Sequence, residues 1–246
     1  MLRLPVPKPD TPYSLFISDL HLGAHHPQTL ADFQEFIDHC AAGAEALYIL
    51  GDLFEYWAGD DDLDDPLHRQ ICAALRRLSN TRVYLMHGNR DLLMGQALAD
   101  ECDATLLADP SLIDLYGRPT LISHGDALCT DDIQYQQYRS QVRSAEFQRQ
   151  FLSKSLAERK AFIEGLRQQS AAEKQTKSHA IMDVNEDAVA ALLREHGYPT
   201  LIHGHTHRPM RHEHNIDGHR CVRWVLGDWE RRPNALYVDA HGITAI

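Results

Sequence analysis

A chain of 246 residues with 43 % hydrophobic content can bury one substantial core, and its size suits a single α/β domain that carries an insertion. A formal charge of −11 argues against a general nucleic-acid binder, and five scattered cysteines without a Cys-x-x-Cys pair support neither a disulfide framework nor a thiolate zinc site. No run of 18 or more apolar residues occurs, and Met1 to Pro12 contains four prolines and no apolar stretch, so neither a signal peptide nor a spanning helix is expected and the cytoplasmic side is the expected compartment.

Short runs rich in β-branched or aromatic residues predict strands at Tyr13 to Ile17, Ala46 to Leu50, Val83 to Met86, Thr120 to Ile122, Thr200 to Ile202, Val222 to Leu226 and Ala235 to Val238. Between the first three, apolar residues at three- and four-residue spacing predict helices over Gln28 to Ala42 and Pro66 to Leu78. Strand, helix, strand, helix, strand implies right-handed crossovers and a layered α/β fold. The stretch from about Thr130 to His179 breaks that rhythm with polar helical sequence and a sparse stripe of Phe147, Phe151, Phe162, Ile163 and Leu166. It reads as a helical cap insertion over about residues 131 to 180, the alternative being a pair of solvated surface helices. From Ile133 to Ala180 nine Lys or Arg stand against four Asp or Glu, so a basic insertion sits on an acidic body and suggests an anionic ligand.

The polar residues that bear chemistry fall just beyond strand ends, where an open α/β sheet places its ligands. Asp19 and His21 follow the first strand, Asp52 the second, Asn89 the third, His124 the next, and His205 and His207 another. Four imidazoles, two carboxylates and one amide oxygen form a mixed nitrogen and oxygen set, which suits hard or borderline divalent ions. Seven side chains are too many for one tetrahedral ion and suit two ions about 3.5–4 Å apart, with Asp52 as the natural bridge. Glycines beside Asp52, Asn89, His124 and His205 let the backbone turn and approach closely.

Asp19-x-His21, Gly51-Asp52, Gly88-Asn89, His124 and Gly204-His205-x-His207 resemble the five-motif pattern of the calcineurin-like metallophosphoesterases. That resemblance implies an αββα sandwich, two sheets between layers of helices. The third motif reads Gly88-Asn89-Arg90-Asp91 where many members have histidine after the asparagine. An arginine cannot act as a general acid near neutral pH, but it can clamp phosphate oxygens, which favours a good leaving group. The flanking residues Leu53-Phe54-Glu55-x-Trp57, His124-Gly125-Asp126, Ile181-Met182-Asp183-Val184-Asn185 and Gly227-Asp228-Trp229 make the likeness more specific. Together with the ligand motifs they resemble the UDP-2,3-diacylglucosamine pyrophosphatase family of lipid A biosynthesis.

This second resemblance implies a hydrolase that cleaves the pyrophosphate of UDP-2,3-diacylglucosamine to UMP and 2,3-diacylglucosamine 1-phosphate, with two Mn²⁺ ions and in-line attack by a hydroxide between them. By carry-over, Asp19, His21, Asp52 and His207 hold one ion, and Asp52, Asn89, His124 and His205 the other. Asn89, Arg90 and His205 are expected to act at the reacting phosphate. Substrate contacts are expected from Asn89, Arg90, Asp132, Tyr135, Ser170, Lys174, Lys177 and His205, a solvated helix face being the alternative for the two lysines. The insertion departs from the family in that Ser144 to Gln169 is broken by charges every few residues instead of carrying long apolar runs. Peripheral association with the cytoplasmic face of the inner membrane remains an expectation, and neither a nucleic acid nor an obligate protein partner is expected.

Two other functions fit the same motifs, a dimetal phosphodiesterase or nucleoside-diphosphate pyrophosphatase acting on another substrate, and a non-catalytic phosphoesterase-fold binding protein. Among residues outside the ligand set, His203 reads as a partner of the ligands or a competing ligand, and His212, His214 and His219 as a polar hairpin. The acidic run from Asp60 to Asp65 reads as a turn capping the next helix, His25 and His26 as solvated, and Trp57 and Trp229 as core anchors or a wall of the site.

Overall fold

The structure, a computed structural model, describes residues 11–174, 183–230 and 232–246, with the side chains of 168–174 left aside. In chain order the strands are β1 (Tyr13–Ile17), β2 (Ala46–Ile49), β3 (Arg82–Met86), β4 (Ala104–Leu107), β5 (Ser111–Leu115), β6 (Arg118–Ser123), β7 (Thr200–His203), β8 (Met210–Ile216), β9 (His219–Val225), β10 (Leu236–Asp239) and β11 (Gly242–Ala245). The helices are α1 (Pro27–His39), α2 (Pro66–Arg76), α3 (Gln96–Glu101), α4 (Ile133–Val142), α5 (Ala145–Leu152), α6 (Leu156–Lys174) and α7 (Glu186–Glu195).

Two sheets form, one in the order β11-β10-β1-β2-β3-β4 and the other β5-β6-β7-β9-β8. Successive side chains on a strand point to opposite faces, and this period separates three apolar clusters. Leu15, Ile17, Leu47 and Ile49 face outward from the first sheet and meet Phe33 and Phe36 of α1, Ile71 and Leu75 of α2 and Leu98 of α3. Phe16, Tyr48, Met86, Ile122, Ile202 and Leu236 fill the space between the sheets, where Phe16, Tyr48 and Tyr84 stack in a row at 4.5 and 4.7 Å. Leu121, Leu201 and Cys221 face outward from the second sheet against Val189 and Leu193 of α7. The layers are therefore helix, sheet, sheet, helix, the αββα sandwich that the motifs imply. The helix predicted over Gln28 to Ala42 ends at His39 and gives way to a single 3₁₀ turn at Ala41–Gly43, where Tyr13 bonds the Cys40 carbonyl at 2.9 Å.

β1, β2 and β3 run parallel, as do β6, β7 and β9, so their carboxyl ends gather at one edge of the sandwich. Short bonds continue the ladders into the loops beyond: Asp19 N to Gly51 O at 3.1 Å, His21 N to Asp52 O at 3.0 Å and Gly204 N to His124 O at 2.9 Å. The charged helices α4, α5 and α6 follow β6 within the expected insertion. Phe151, the buried member of their apolar stripe, stacks on Phe147 and meets Phe162 edge-on, holding α5 against α6. Among the described residues, no helix is long and apolar enough to cross a membrane.

Candidate metal centre

All seven residues expected as ligands converge at the carboxyl edge. Asp19, His21 and His207 present donor atoms within 4.8 Å of one another, and so do Asp19, Asp52 and His124. Asp19 belongs to both groups, while Asp52 Oδ2 lies 3.9 Å from His21 Nδ1 and so also borders both. Asn89 Oδ1 stands 3.1 Å from His124 Nε2 and 2.9 Å from His205 Nδ1, which adds the last two donors beside the second group.

The donor set can be tested for its fit to divalent cations. Asp19 is fully buried and its Oδ1 has no hydrogen-bond donor, although His207 Nε2 lies 3.3 Å away. The Nε2 atoms of His21 and His207 face each other at 3.4 Å, an approach that needs a proton or a cation between two lone pairs. His124 is oriented by its Nδ1, 2.9 Å from the Leu50 carbonyl, and His207 by its Nδ1, 3.1 Å from Asp228 Oδ2. An imidazole tied at one nitrogen to a carbonyl or carboxylate offers the other to a metal in a fixed tautomer. These observations fit two metal ions.

Charge balance without metal points the same way. Burial opposes ionisation of Asp19, but the imidazole of His207 beside it, with those of His124 and His21, holds its carboxyl well below the usual carboxylate range. Burial, with the Asp91 and Asp19 carboxylates, raises Asp52 to about 7. Burial would lower His124 and His207, yet Asp52 and Asp19 lift the first to about 9, and Asp19 and Asp228 lift the second to about 10. Burial and the nearby His124 push His205 down to about 3. The pocket thus collects protons on two imidazoles to offset its carboxylates, a role that divalent cations can take over.

Four further residues organise the loops, and the sequence motifs contain them without revealing their roles. Buried Asp91 accepts the backbone N–H groups of Leu53 and Gly88 at 2.8 Å each and of Asp52 at 3.3 Å, tying motif three to motif two. Asp126, also buried, receives the Tyr135 hydroxyl at 2.9 Å and Arg139 Nε at 2.8 Å, which docks α4 beside the centre. Asp228 orients His207, and Glu55 Oε1 receives both Arg90 Nη1 and Arg167 Nη2 at 2.7 Å.

The expected substrate contacts distribute unevenly. Tyr135 stacks on His205 with ring centroids 5.7 Å apart, and Asp132 caps α4 by accepting the Tyr135 N–H at 3.1 Å. Arg90 is partly buried beside Glu55, and its N–H donates to Asp52 Oδ1 at 2.8 Å. Ser170 and Lys174 lie on α6, and Lys177 lies outside the described residues, as does the Ile181-Met182 pair. His203 is fully buried, with its Nδ1 2.9 Å from the Gly204 carbonyl and its Nε2 3.2 Å from Arg223, so it fixes the backbone of motif five; burial lowers it to about 4. Trp57 and Trp229 are core residues, packed on Phe54 at 4.7 Å and on Phe36 at 5.4 Å. Asp65 does cap α2 through the Leu67 N–H, His25 and His26 are exposed, and His212, His214 and His219 lie on the β8–β9 hairpin.

Comparisons with known proteins agree with this geometry. A family model for calcineurin-like phosphoesterases matches residues 14–209. A UDP-2,3-diacylglucosamine hydrolase of Aromatoleum aromaticum is 54 % identical over 93 % of this chain and 94 % of the relative, and one of Edwardsiella ictaluri is 48 % identical over 95 % and 91 %. The crystal structure of a dimetal phosphatase from Danio rerio matches with a TM-score of 0.52 at 11 % identity, over 96 % of this chain and 98 % of that one, a likeness of fold alone. With five motifs gathered at one edge of an αββα sandwich and close relatives aligned along nearly its whole length, this chain belongs to the calcineurin-like phosphoesterase family, in the group that contains the UDP-2,3-diacylglucosamine hydrolases.

Proposed function

We propose that this protein hydrolyses the pyrophosphate bond of UDP-2,3-diacylglucosamine, giving UMP and 2,3-diacylglucosamine 1-phosphate, with two Mn²⁺ ions held by Asp19, His21, Asp52, Asn89, His124, His205 and His207. The observation that carries the reading is a buried, mixed-donor centre with Arg90 beside it, in a chain about half identical to the named hydrolases along more than nine-tenths of its length. When bound, the ions lower the pKa of water toward neutrality and offset charge on phosphoryl oxygens. Arg90 donates guanidinium N–H groups to the phosphates as charge develops on them, and Glu55 holds that guanidinium in place beforehand. Asn89 and His205, in contact with each other, position the second ion and the reacting phosphate together. Tyr135, backed by Asp126, closes one side against water.

In this reading the chain is one metallophosphoesterase domain with a cap at about 131 to 180, from which Asp132, Tyr135, Ser170, Lys174 and Lys177 reach the substrate. The protein works at the cytoplasmic face of the inner membrane and needs neither nucleic acid nor an obligate protein partner. Exposed Ile133, Leu152 and Phe162 on the cap, with the Lys154 ammonium 5.6 Å from the Phe162 ring centroid, support contact with an anionic lipid surface.

The deciding experiment is UMP release from UDP-2,3-diacylglucosamine by purified protein with Mn²⁺, beside an EDTA control and a His207→Ala variant. Metal-dependent release that is lost in the variant supports substrate, metal and site together. No release with two ions bound rejects the substrate and leaves the two-metal phosphoesterase.

A further inference from the structure

Two contacts eight residues apart on α6 tie the insertion to the core. One is Arg167, which shares Glu55 Oε1 with Arg90 at the edge of the metal centre. The other is Arg159, whose side chain is only 2 % exposed, a rare state for an arginine. Its guanidinium donates to the Ala58 carbonyl and to the Asp61 carboxylate, and its Nε donates to the Lys154 carbonyl at 3.1 Å. Lys160, the next residue, stands 2.7 Å from Asp62 Oδ1, whose carboxylate is almost fully buried. Gly59 has φ +129°, and a Cβ there would run into the Arg159 guanidinium.

The loop that receives Arg159 is itself bonded to motif three on one flank and to the start of α3 on the other. Trp57 N donates to the Arg90 carbonyl at 3.1 Å, and Asp60 accepts the N–H groups of Gly95 and Leu98 at 2.9 and 3.1 Å. Asp62, Asp65 and His68 also bring donor atoms within 4.8 Å of one another. A metal there would have to displace the Lys160 ammonium, which already faces Asp62 and lies 3.8 Å from Asp65. The acidic run is thus a receptor for cations of the cap.

We propose that Arg159 is a positioning residue for the hydrolysis: seated on the loop of residues 58–62, it sets where α6 lies and thereby where Arg167 meets Glu55 and Arg90. A helix rises about 1.5 Å per residue, so the two arginines are roughly 12 Å apart along a rigid rod, and a shift at one end is carried to the other. Lysine at 159 keeps the charge but loses the planar fork that reaches a carbonyl and a carboxylate together. The inference rests on the reading that the substrate is an anionic sugar nucleotide whose phosphates meet Arg90.

The test compares Arg159→Lys and Asp61→Asn with the wild-type protein, the second change lying on a half-exposed carboxylate that the core does not need. Amide hydrogen exchange along α6 should rise by about tenfold or more in both, the change expected when charge-assisted bonds to a buried guanidinium are lost. KM for the sugar nucleotide should rise, while Mn²⁺ affinity and hydrolysis of bis(p-nitrophenyl) phosphate, a small diester that needs only the metal centre, stay unchanged. Combined with Arg167→Met, the effect of Arg159→Lys on kcat/KM should be less than multiplicative, because both act through one contact. Unchanged exchange along α6, or independent multiplicative effects, overturns the proposal. Failure of the wild-type protein to release UMP would reject the substrate reading alone, since exchange still reports the anchor.

Discussion

Asp228→Ala should weaken one metal position without unfolding the protein, and the defect should grow with pH. Asp228 Oδ2 lies 3.1 Å from His207 Nδ1, with 26 % of its side chain exposed, so its removal costs the fold about 0–1 kcal/mol, as for other accessible ion pairs. Loss of the group that orients a ligating imidazole typically lowers metal affinity by about 10–100-fold, or roughly 1.4–2.7 kcal/mol, so the metal effect dominates. Asp228 also helps lift His207 to about 10 in the metal-free protein, and that proton must leave before the ring can ligate. In the wild type, affinity therefore climbs with pH up to about 10, by as much as tenfold per unit from this group. In the variant His207 releases its proton at lower pH, the climb ends earlier, and the gap to the wild type widens between pH 7 and 9. Calorimetric Mn²⁺ titrations at pH 7, 8 and 9, with Asp217→Ala on the far side as a control, measure this. Equal affinities, or a gap that narrows as pH rises, would refute the assignment of Asp228 to His207.

Filling the metal-free centre with Mn²⁺ at pH 8 should release about two protons per chain, because His124 and His207 are held protonated by their carboxylates, and a weakly buffered pH-stat titration that records fewer than one would contradict this. Gly204→Ala should abolish metal binding, since its Cβ would land on Ser18 and the Asp19 carboxylate, whereas Gly197→Ala, at φ +77° with open space around it, should lose about 1 kcal/mol of stability and bind metal normally in the same titration. Asp91→Ala strips the acceptor from four buried N–H groups, those of Asp52, Leu53, Phe54 and Gly88, and should destabilise the protein by about 3 kcal/mol or more in urea unfolding, far beyond an exposed Asp114→Ala. Tyr48 is raised to about 12 by burial and by the Tyr84 phenol, against about 10 when unfolded, so its contribution is complete below pH 10 and is lost as pH rises through 12. Tyr48→Phe should flatten that alkaline decline in metal-free protein, and an identical decline would exclude it.

The strands legible in the sequence were those with neighbours on both sides. β1, β2, β3, β6, β7, β9 and β10 lie inside their sheets, and most present continuous apolar runs because both faces are covered. The four strands that the apolar pattern missed, β4, β5, β8 and β11, are the four sheet edges. An edge strand buries less, and β8, with the sequence Met-Arg-His-Glu-His-Asn-Ile, carries the charge that keeps an edge from pairing with another chain. The seven candidate ligands were legible for a related reason, since each lies within a few residues of a recognisable strand end. Glu55, Asp91, Asp126 and Asp228 sit in the same motifs, but their roles depend on partners in other elements, 13 residues away on α4 for Asp126 and Arg139 and more than 20 away for the other three, and no spacing rule reports such partners.

The glycines of the motifs divide into two kinds, and the division explains how the centre is held. Gly51 and Gly125 have φ of +91° and +106°, where a side chain is disfavoured by the backbone itself. Gly88 and Gly204 have no such angle; they are small because the Asp52 carboxylate, and Ser18 with Asp19, occupy the space a Cβ would need. The left-handed conformation falls instead on Asp19, His21, Asp52, His205 and His207, at φ between +50° and +68°. Each such residue costs about 1–2 kcal/mol, so five of the seven candidate ligands sit where local preference opposes them. What holds them is mutual: Asp19 N bonds Gly51 O, His21 N bonds Asp52 O, Asp52 N reaches Asp91, and His205 N reaches the Asp19 carboxylate at 2.8 Å. Every bond joins one motif loop to another, so no loop keeps its shape alone. The strain is stored where several donor atoms must face one small volume, which is the arrangement a pair of cations requires.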